Sequence, residues 1–198
     1  MGEKMKDKNE MTMDELDKIS GGAINRMYGD DGSDMMTGTD GRDSMRGGDG
    51  SDYMQGGAGD DTLRGDDGSD MLMGGAGNDI LDGGNWDGTT DIAHGGEGDD
   101  AYLWRVDGEG DDVFIGGPGN DTIRLWNLDS GTLEEVWDSG NFNITVKDSE
   151  GNNVDITSEM FDEKGNLILP PDSSGVITGP TGDTLTFDGV EKISKHWS

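Results

Sequence analysis

Single apolar residues recur about every nine positions between residues 29 and 124, in a stretch that is otherwise polar and rich in glycine. An aspartate stands two residues before each of them, and most units carry glycine at their first and fourth positions. Ten units follow one another, with three extra residues within 83–94 and three more at 104–106. Such a short fixed period predicts a repeat architecture. The apolar positions are Met36, Met45, Met54, Leu63, Leu72, Leu81, Ala93, Tyr102, Phe114 and Ile123.

Each unit is predicted to form a six-residue loop followed by a three-residue strand. Glycine supplies the positive φ angles and the close backbone approach that a tight loop needs. A strand of three residues points one side chain inward, and this is the apolar residue at the eighth position of the unit. A core of one residue per unit is thin, so it does not offset the entropy of ordering so much glycine. The fold therefore needs a further source of stability.

Composition excludes several classes of protein. Of 198 residues 29% are hydrophobic, and 44 acidic against 14 basic residues give a net charge of −30. Such a chain is either disordered or neutralised by bound cations. The negative charge excludes a nucleic-acid binder. The longest hydrophobic run is residues 101–104, which excludes a membrane span and the apolar core of a conventional secretory signal. The absence of cysteine excludes disulfides and thiolate zinc sites.

Aspartate at the sixth position is the constant feature of the repeat. Residues 29–124 hold 24 acidic and five basic side chains, a net charge of −19. A hard divalent cation binds carboxylates together with the backbone carbonyls that glycine-rich loops expose. The alternative is a solvated linker rich in glycine and aspartate, which predicts charge without the fixed register seen here. The ten aspartates are Asp34, Asp43, Asp52, Asp61, Asp70, Asp79, Asp91, Asp100, Asp112 and Asp121.

Residues 56–64 (GGAGDDTLR), 74–82 (GGAGNDILD) and 116–124 (GGPGNDTIR) carry the pattern GGxGxDxUx, where U is apolar. The pattern resembles the RTX calcium-binding nonapeptide repeat, over about half of the chain. The resemblance implies an all-β fold, a right-handed parallel β-roll in which two units make one turn and units of equal parity stack about 4.8 Å apart. The inward columns would contain Met36, Met54 and Leu72 on one side and Met45, Leu63 and Leu81 on the other.

The resemblance also implies how calcium is held. One loop gives the carbonyls of its second and fourth positions and its aspartate, and the loop one turn later gives the carbonyls of its first and third positions and its aspartate. Gly57, Gly59 and Asp61 would thus share an ion with Gly74, Ala76 and Asp79, and Gly48, Gly50 and Asp52 would share one with Gly65, Asp67 and Asp70.

Ten units predict roughly five to eight Ca²⁺ ions between turns. The inserts interrupt the regular spacing next to Asp91 and Asp112. A break in the row of calcium sites is therefore expected at the sites that involve these two aspartates. The remaining expected carbonyl ligands are those of Gly32, Gly41, Gly68, Gly75, Gly77, Gly96, Gly98, Gly117 and Gly119.

The first 22 residues do not follow the repeat. The segment resembles the double-glycine leader of peptides exported by ABC transporters that carry a cysteine-peptidase domain. The resemblance implies a short helix that docks its apolar side chains in a groove of the exporter, and cleavage after Gly22. The alternative is an ordinary amphipathic helix with a glycine stop. The residues that carry the resemblance are Met11, Glu15, Leu16, Ile19, Gly21 and Gly22.

The sequence after residue 124 predicts short strands between turns, at 142–146, 153–157, 167–169, 176–178 and 184–187. Turns are expected at Asn152–Asn153 and at residues 163–166 (EKGN). We expect a β-rich cap over the open end of the coil, and residues 184–193 (TLTFDGVEKI) resemble the closing segment that follows RTX repeats and can act as an uncleaved export signal. The domains are therefore 1–22, a leader; 23–124, the β-roll; and 125–198, the cap.

No catalytic residues are predicted. The chain lacks a GxSxG motif, and neither His94 nor His196 lies in a zinc-ligand helix motif. The leading hypothesis is a secreted, extracellular bacterial protein that folds on calcium after export. Alternatives are an adhesion or surface-layer protein with a polysaccharide or cell-surface partner, a bacteriocin-like effector, and a detached module of a polysaccharide-modifying enzyme.

Overall fold

The computed structural model describes residues 24–84, 88–106, 108, 110–126 and 142–195. The predicted leader lies outside these residues. No helix within them has the length and apolar character needed to cross a membrane. The repeat strands are β1 (Asn25–Tyr28), β2 (Met35–Thr37), β3 (Asp43–Asp49), β4 (Tyr53–Ala58), β5 (Thr62–Asp67), β6 (Met71–Ala76), β7 (Ile80–Gly84), β8 (Ile92–Glu97), β9 (Ala101–Arg105), β10 (Asp111–Ile115) and β11 (Thr122–Trp126). The C-terminal elements are β12 (Asn143–Lys147), β13 (Asn153–Val154), a 3-10 turn (Ser158–Met160), β14 (Leu167–Thr178) and β15 (Thr184–Lys195).

Alternate repeat strands stack into two parallel sheets. The odd sheet has the order β1-β3-β5-β7-β9-β11, and the even sheet has the order β2-β4-β6-β8-β10. Stacked positions lie 18 residues apart in the regular units and 21 apart across an insert. The chain forms a parallel β-solenoid of about five turns. The predicted all-β roll is thereby confirmed.

The core consists of two columns of inward side chains. In the odd sheet Met45 pairs in register with Leu63 and then Leu81, and in the even sheet Met54 pairs with Leu72. These are the columns that the sequence predicts. The two columns meet where Tyr102 stacks on Phe114, with ring centroids 5.3 Å apart. Every predicted inward residue is at most 9% exposed.

The loops stack so closely that Gly75, at the second position of its unit, has no room for a side chain. Gly75 has a φ of 120°, a value that side chains rarely adopt. A Cβ added there would lie 2.0 Å from the carbonyl oxygen of Gly57, one turn earlier. The same glycine is therefore required both by its own backbone and by its neighbour.

Strand β15 closes the coil at its C-terminal end. Its first half pairs with β10 and its second half pairs with β11, so one strand continues both sheets. Gly189, at φ 64°, lies between the two halves. Phe187 lies opposite Phe114, and Ile193 lies opposite Ile123, which extends both core columns. With β14 and β12 packed antiparallel beside it, β15 forms the predicted β-rich cap.

Four C-terminal strand predictions had the wrong extent. The strands predicted at 167–169 and 176–178 are one strand, β14, whose pairing with β15 shifts register between Ile168 and Ser173. Pro170 and Pro171 lie in this irregular stretch, where their missing N–H groups interrupt no ladder. The strand predicted at 184–187 continues to Lys195 because it pairs with a second sheet, and the strand predicted at 153–157 ends at Val154.

The turn predicted at residues 163–166 occurs, and an aspartate organises it. The turn predicted at Asn152–Asn153 lies at residues 149–151 instead, because Asn153 already pairs with Lys147 as part of β13. Asp148 accepts hydrogen bonds from the N–H groups of Glu150 and Asn152, just before the predicted Asn152–Asn153. Asp162 does the same for Lys164 and Asn166, around the predicted EKGN turn.

Replacing Gly75 by alanine should destabilise the calcium-saturated protein by at least about 3 kcal/mol, because it adds a backbone clash to the strain of a positive φ. The matched control is Gly182→Ala: Gly182 has φ 97° but open space around its Cβ position, so only the strain of about 1–3 kcal/mol remains. Chemical unfolding in saturating calcium measures both. Equal losses for the two variants would contradict the close stacking.

Candidate metal centre

The ten predicted aspartates form two hydrogen-bonded ladders. The backbone N–H of Asp61 donates to Oδ1 of Asp79 at 2.7 Å, and the N–H of Asp79 donates to Oδ1 of Asp100 at 2.8 Å. The same bond repeats at each step between stacked units. The odd ladder is Asp43, Asp61, Asp79, Asp100 and Asp121, and the even ladder is Asp34, Asp52, Asp70, Asp91 and Asp112.

The second carboxylate oxygen of many ladder aspartates is buried without a hydrogen-bond partner. Burying an unpaired polar group costs about 1–3 kcal/mol, and more for a charged one. A column of such oxygens is therefore unfavourable unless something else binds them. The aspartates with an unpaired, buried Oδ2 are Asp52, Asp61, Asp79, Asp100 and Asp121.

Each unpaired Oδ2 shares its space with a carbonyl of the following turn. A Cβ added to Gly56, at the first position of its loop, would lie 2.3 Å from Oδ2 of Asp61 and 2.6 Å from the carbonyl oxygen of Gly74. The same pair of oxygens meets beside Gly47, Gly74 and Gly95. Glycine thus leaves room for a cluster of oxygens in the inter-turn gap, the space between two stacked loops.

Two more carbonyls point into the same gap. The carbonyl oxygen of Gly57 faces Gly75, and that of Gly59 faces Gly77, each about 2 Å from the Cβ that these glycines lack. The remaining expected ligands in this gap also accept hydrogen bonds: the carbonyl of Ala76 from the N–H of Gly59, and Oδ1 of Asp79 from the ladder. Four of the six expected donors therefore line the gap between the two stacked loops, and the other two belong to the same loops.

Within the described residues, no three His, Cys, Asp or Glu side chains come close enough together to hold an ion alone. The gap combines carboxylate and carbonyl oxygens, the donors that calcium prefers. The unpaired Oδ2 atoms and the room left by the first-position glycines show that these residues fit such an ion.

Burial raises the pKa of these aspartates. The pKa of Asp61 and of Asp121 rises to about 7, and that of Asp79 rises to about 6. The pKa values of Asp52 and Asp100 are also raised, mainly by burial. The ladder N–H bond opposes the rise, and neighbouring carboxylates increase it. A divalent cation in the gap would relieve this cost.

The ladders differ at their ends. Oδ2 of Asp34 accepts the N–H of Asp30 at 2.8 Å, and Oδ2 of Asp43 accepts the N–H of Thr39 at 2.7 Å. In the first turn these bonds occupy the oxygens that are unpaired in later turns.

The inserts leave the even ladder continuous, because the N–H of Asp91 still donates to Oδ1 of Asp112 at 2.9 Å. Oδ2 of Asp112, however, accepts a bond of 3.2 Å from the hydroxyl of Tyr102. The Tyr102 hydroxyl thus donates to the carboxylate oxygen that the repeat pattern predicts to bind a cation.

The expected carbonyl ligands lie in stacked units of the described chain. Strands such as β4, β5 and β6 run on into the first three positions of the next unit, so they are longer than the predicted three residues, and the fourth positions lie beyond the strand ends. Gly48, Gly57, Gly75, Gly96 and Gly117 occupy second positions with φ between 102° and 120°. The fourth-position glycines stack on one another in the same way; Gly32 and Gly41, in the first turn, lie beneath Gly50 and Gly59. Gly65 and Gly74 are first-position glycines, and Asp67 and Ala76 hold third positions.

Two ladder partners were not singled out from the sequence. The Nδ2 of Asn25 donates to Oδ1 of Asp43 at 2.7 Å, and Oε2 of Glu191 accepts the N–H of Asp121 at 2.7 Å. Asn25 lies 18 residues before Asp43, so the repeat register could have found it. Glu191 lies 70 residues after Asp121, and no spacing in the sequence relates the two.

An ion-pair cluster compensates part of the charge on the odd sheet. Asp66, at φ 76°, replaces the usual second-position glycine and pairs with both Arg46 and Arg64. Asp82 pairs with Arg105 at 2.9 Å. None of these pairs includes a ladder aspartate.

Comparison with known proteins agrees with this geometry. The profile of the family described as "RTX calcium-binding nonapeptide repeat (4 copies)" matches residues 28–63, 55–85 and 106–126. A search among curated proteins gave no significant match. The chain contains RTX calcium-binding nonapeptide repeats, and its parallel β-roll is the calcium-binding fold of such repeats.

Calcium affinity should fall as the pH is lowered through about 7 to 6, because calcium must displace protons from Asp61, Asp79 and Asp121. In the metal-free protein, lowering the pH has the opposite effect, because it stabilises the fold. The folded-state pKa values lie above the unfolded value near 4, so the roll gains stability as the pH falls from 8 to 5.

Calorimetric calcium titration at pH 8 and pH 5.5 measures the fall in calcium affinity. Circular dichroism measures how the stability of the metal-free roll changes with pH. Calcium is first removed on a chelating resin, which avoids a dissolved chelator whose affinity depends on pH. Equal calcium affinity at both pH values would contradict the assignment of these carboxylates to the ion.

Proposed function

We propose that this chain is an exported, non-catalytic calcium-binding protein whose β-roll folds when it meets extracellular calcium. The observation that carries the proposal is the row of buried, unpaired Oδ2 atoms in the aspartate ladders. Burying these charged oxygens is unfavourable unless a cation lies beside them.

Without calcium, the repeats favour the unfolded state. Residues 29–124 carry a net charge of −19, and stacking places aspartates of like charge one above another. The core offers one inward side chain per unit, which is too little to balance this repulsion and the entropy of ordered glycine.

With calcium, the loops become stable because their oxygens are bound. The ion supplies two positive charges to each filled gap. Gly57, Gly59 and Asp61 would share one ion with Gly74, Ala76 and Asp79. Equivalent residues would hold the others, giving roughly five to eight ions per chain. Binding free energy then becomes folding free energy, as in other small metal-dependent domains.

The proposed dependence of folding on calcium is the reason for proposing export. A chain that stays unfolded at the low calcium of the cytoplasm can be threaded through an ABC exporter, and sites of 10⁻⁴–10⁻³ M affinity are those of extracellular modules. We further propose that residues 1–22 are the leader that the exporter's peptidase removes after Gly22. The domain division at residues 22 and 124 follows from these roles.

Calcium titration followed by circular dichroism should show a gain of β signal, and magnesium should give little, because it prefers a rigid octahedral site with retained waters. Asp61→Asn combined with Asp79→Asn should raise the calcium midpoint several-fold, since it keeps a ladder acceptor and removes two charges. Asp155→Asn, an exposed site outside the ladders, is the matched control. An unchanged β signal on calcium addition would reject the proposal.

The leader proposal has its own test. Intact mass of the protein recovered outside cells that express the exporter should match a chain that starts at Ala23. Gly22→Val should abolish cleavage, because a side chain does not fit the narrow peptidase cleft. A secreted chain that still carries residues 1–22 would overturn the leader and leave the calcium proposal standing.

A further inference from the structure

The odd aspartate ladder does not stop at the last repeat. The N–H of Asp121 donates to Oε2 of Glu191 at 2.7 Å, just as the N–H of Asp100 donates to Oδ1 of Asp121 at 2.8 Å. Glu191 belongs to β15, the strand that closes the coil. Its carboxylate therefore takes the place that an aspartate would hold in a further repeat.

Gly189 takes the place of the first-position glycine of that missing repeat. A Cβ added to Gly116 would lie 2.1 Å from the carbonyl oxygen of Gly189 and 2.4 Å from Oδ2 of Asp121. One turn earlier, a Cβ on Gly95 would lie 2.7 Å from the carbonyl oxygen of Gly116 and 2.2 Å from Oδ2 of Asp100. The pair of oxygens found between stacked repeats thus occurs again between the last repeat and strand β15.

The gap beside Gly116 also contains an unpaired buried oxygen. Asp121 is fully buried, at 0% exposure, and its Oδ2 has no hydrogen-bond partner. The carbonyl oxygen of Gly117 faces Gly189, at 3.4 Å from the Cβ that Gly189 lacks. Oxygens of the last loop and of the cap therefore face each other.

We propose an additional calcium site between the last loop and strand β15, formed by the carbonyls of Gly117 and Gly189 and the carboxylates of Asp121 and Glu191. It rests on the proposed calcium function and adds to it a site that repeat-to-repeat stacking does not create. Each carboxylate oxygen has two lone pairs, so Glu191 can accept its hydrogen bonds and still bind an ion.

This site would fasten the cap to the repeats. Oε1 of Glu191 accepts the N–H of Asp172 at 2.7 Å, so one side chain joins the ladder, β15 and β14. The turn at Gly189 is shorter than a repeat loop and gives one carbonyl where a loop gives two. The terminal site should consequently bind more weakly than the inter-repeat sites and fill after them.

The even ladder ends differently and serves as an internal comparison. Opposite Asp112, strand β15 places Leu185, and Oδ2 of Asp112 accepts the hydroxyl of Tyr102. The extra site is therefore expected on the odd side of the cap alone.

The decisive experiment is an anomalous difference map at long wavelength from crystals of the full chain grown in calcium. The proposal expects peaks in the inter-repeat gaps and one more peak between Asp121 and Gly189. Inter-repeat peaks without the terminal peak would overturn this inference and leave the calcium function intact. A folded roll with no peaks at all would overturn both.

Native mass spectrometry of Glu191→Gln gives a second test in solution. The variant should keep a hydrogen-bond acceptor and lose one bound calcium ion relative to the unaltered chain. Glu159→Gln, at an exposed position in the 3-10 turn, should keep the full count. An unchanged count in Glu191→Gln would show that Glu191 acts only as a hydrogen-bond acceptor. If Glu191→Gln does not fold, the map of the unaltered chain still decides.

Discussion

Repulsion between stacked, buried carboxylates is the constraint on which the rest of the structure depends. The nine-residue period places an aspartate at the same point of every turn, and the ladder bond from each N–H to the next Oδ1 holds successive carboxylates in line. The same arrangement leaves Oδ2 buried and unpaired in Asp61, Asp79 and their equivalents. The fold thus concentrates negative charge in the gaps, which carbonyl oxygens also line, and this supports the proposal that its stability depends on a cation.

Glycine and the core are matched to this arrangement. First-position glycines make room for the oxygen pairs, and second-position glycines such as Gly75 permit the close stacking that aligns the ladders. The inward columns fix the register, because a slip of one residue would move an apolar side chain to the outside. They add too little burial to hold the roll alone. This balance supports the proposal that the chain is exported unfolded and folds on calcium.

Much of this could be predicted from the sequence, since each unit contains one inward apolar residue and one aspartate at fixed positions. That spacing, together with the two units per turn that the resemblance to RTX repeats implies, predicts the strand order, both core columns and the composition of the ladders. The ends of the ladders do not follow from it. Asp121 meets Glu191 only because β15 folds back across both sheets, and the bond from Tyr102 to Asp112 depends on how far a hydroxyl reaches across the core. Two strands were predicted at 167–169 and 176–178 where β14 is continuous. Its Pro170 and Pro171 are tolerated only because the pairing with β15 shifts register there, which no local pattern reveals.

The most direct test of the central claim is hydrogen exchange of the ladder amides at neutral pH, with calcium and after its removal. The N–H groups of Asp61, Asp79 and Asp100 report the stacking of the loops themselves. The account predicts strong protection in calcium and exchange at the rate of an unfolded chain without it. Equal protection in the metal-free protein would show that the carboxylates stack without a cation, and would contradict the account.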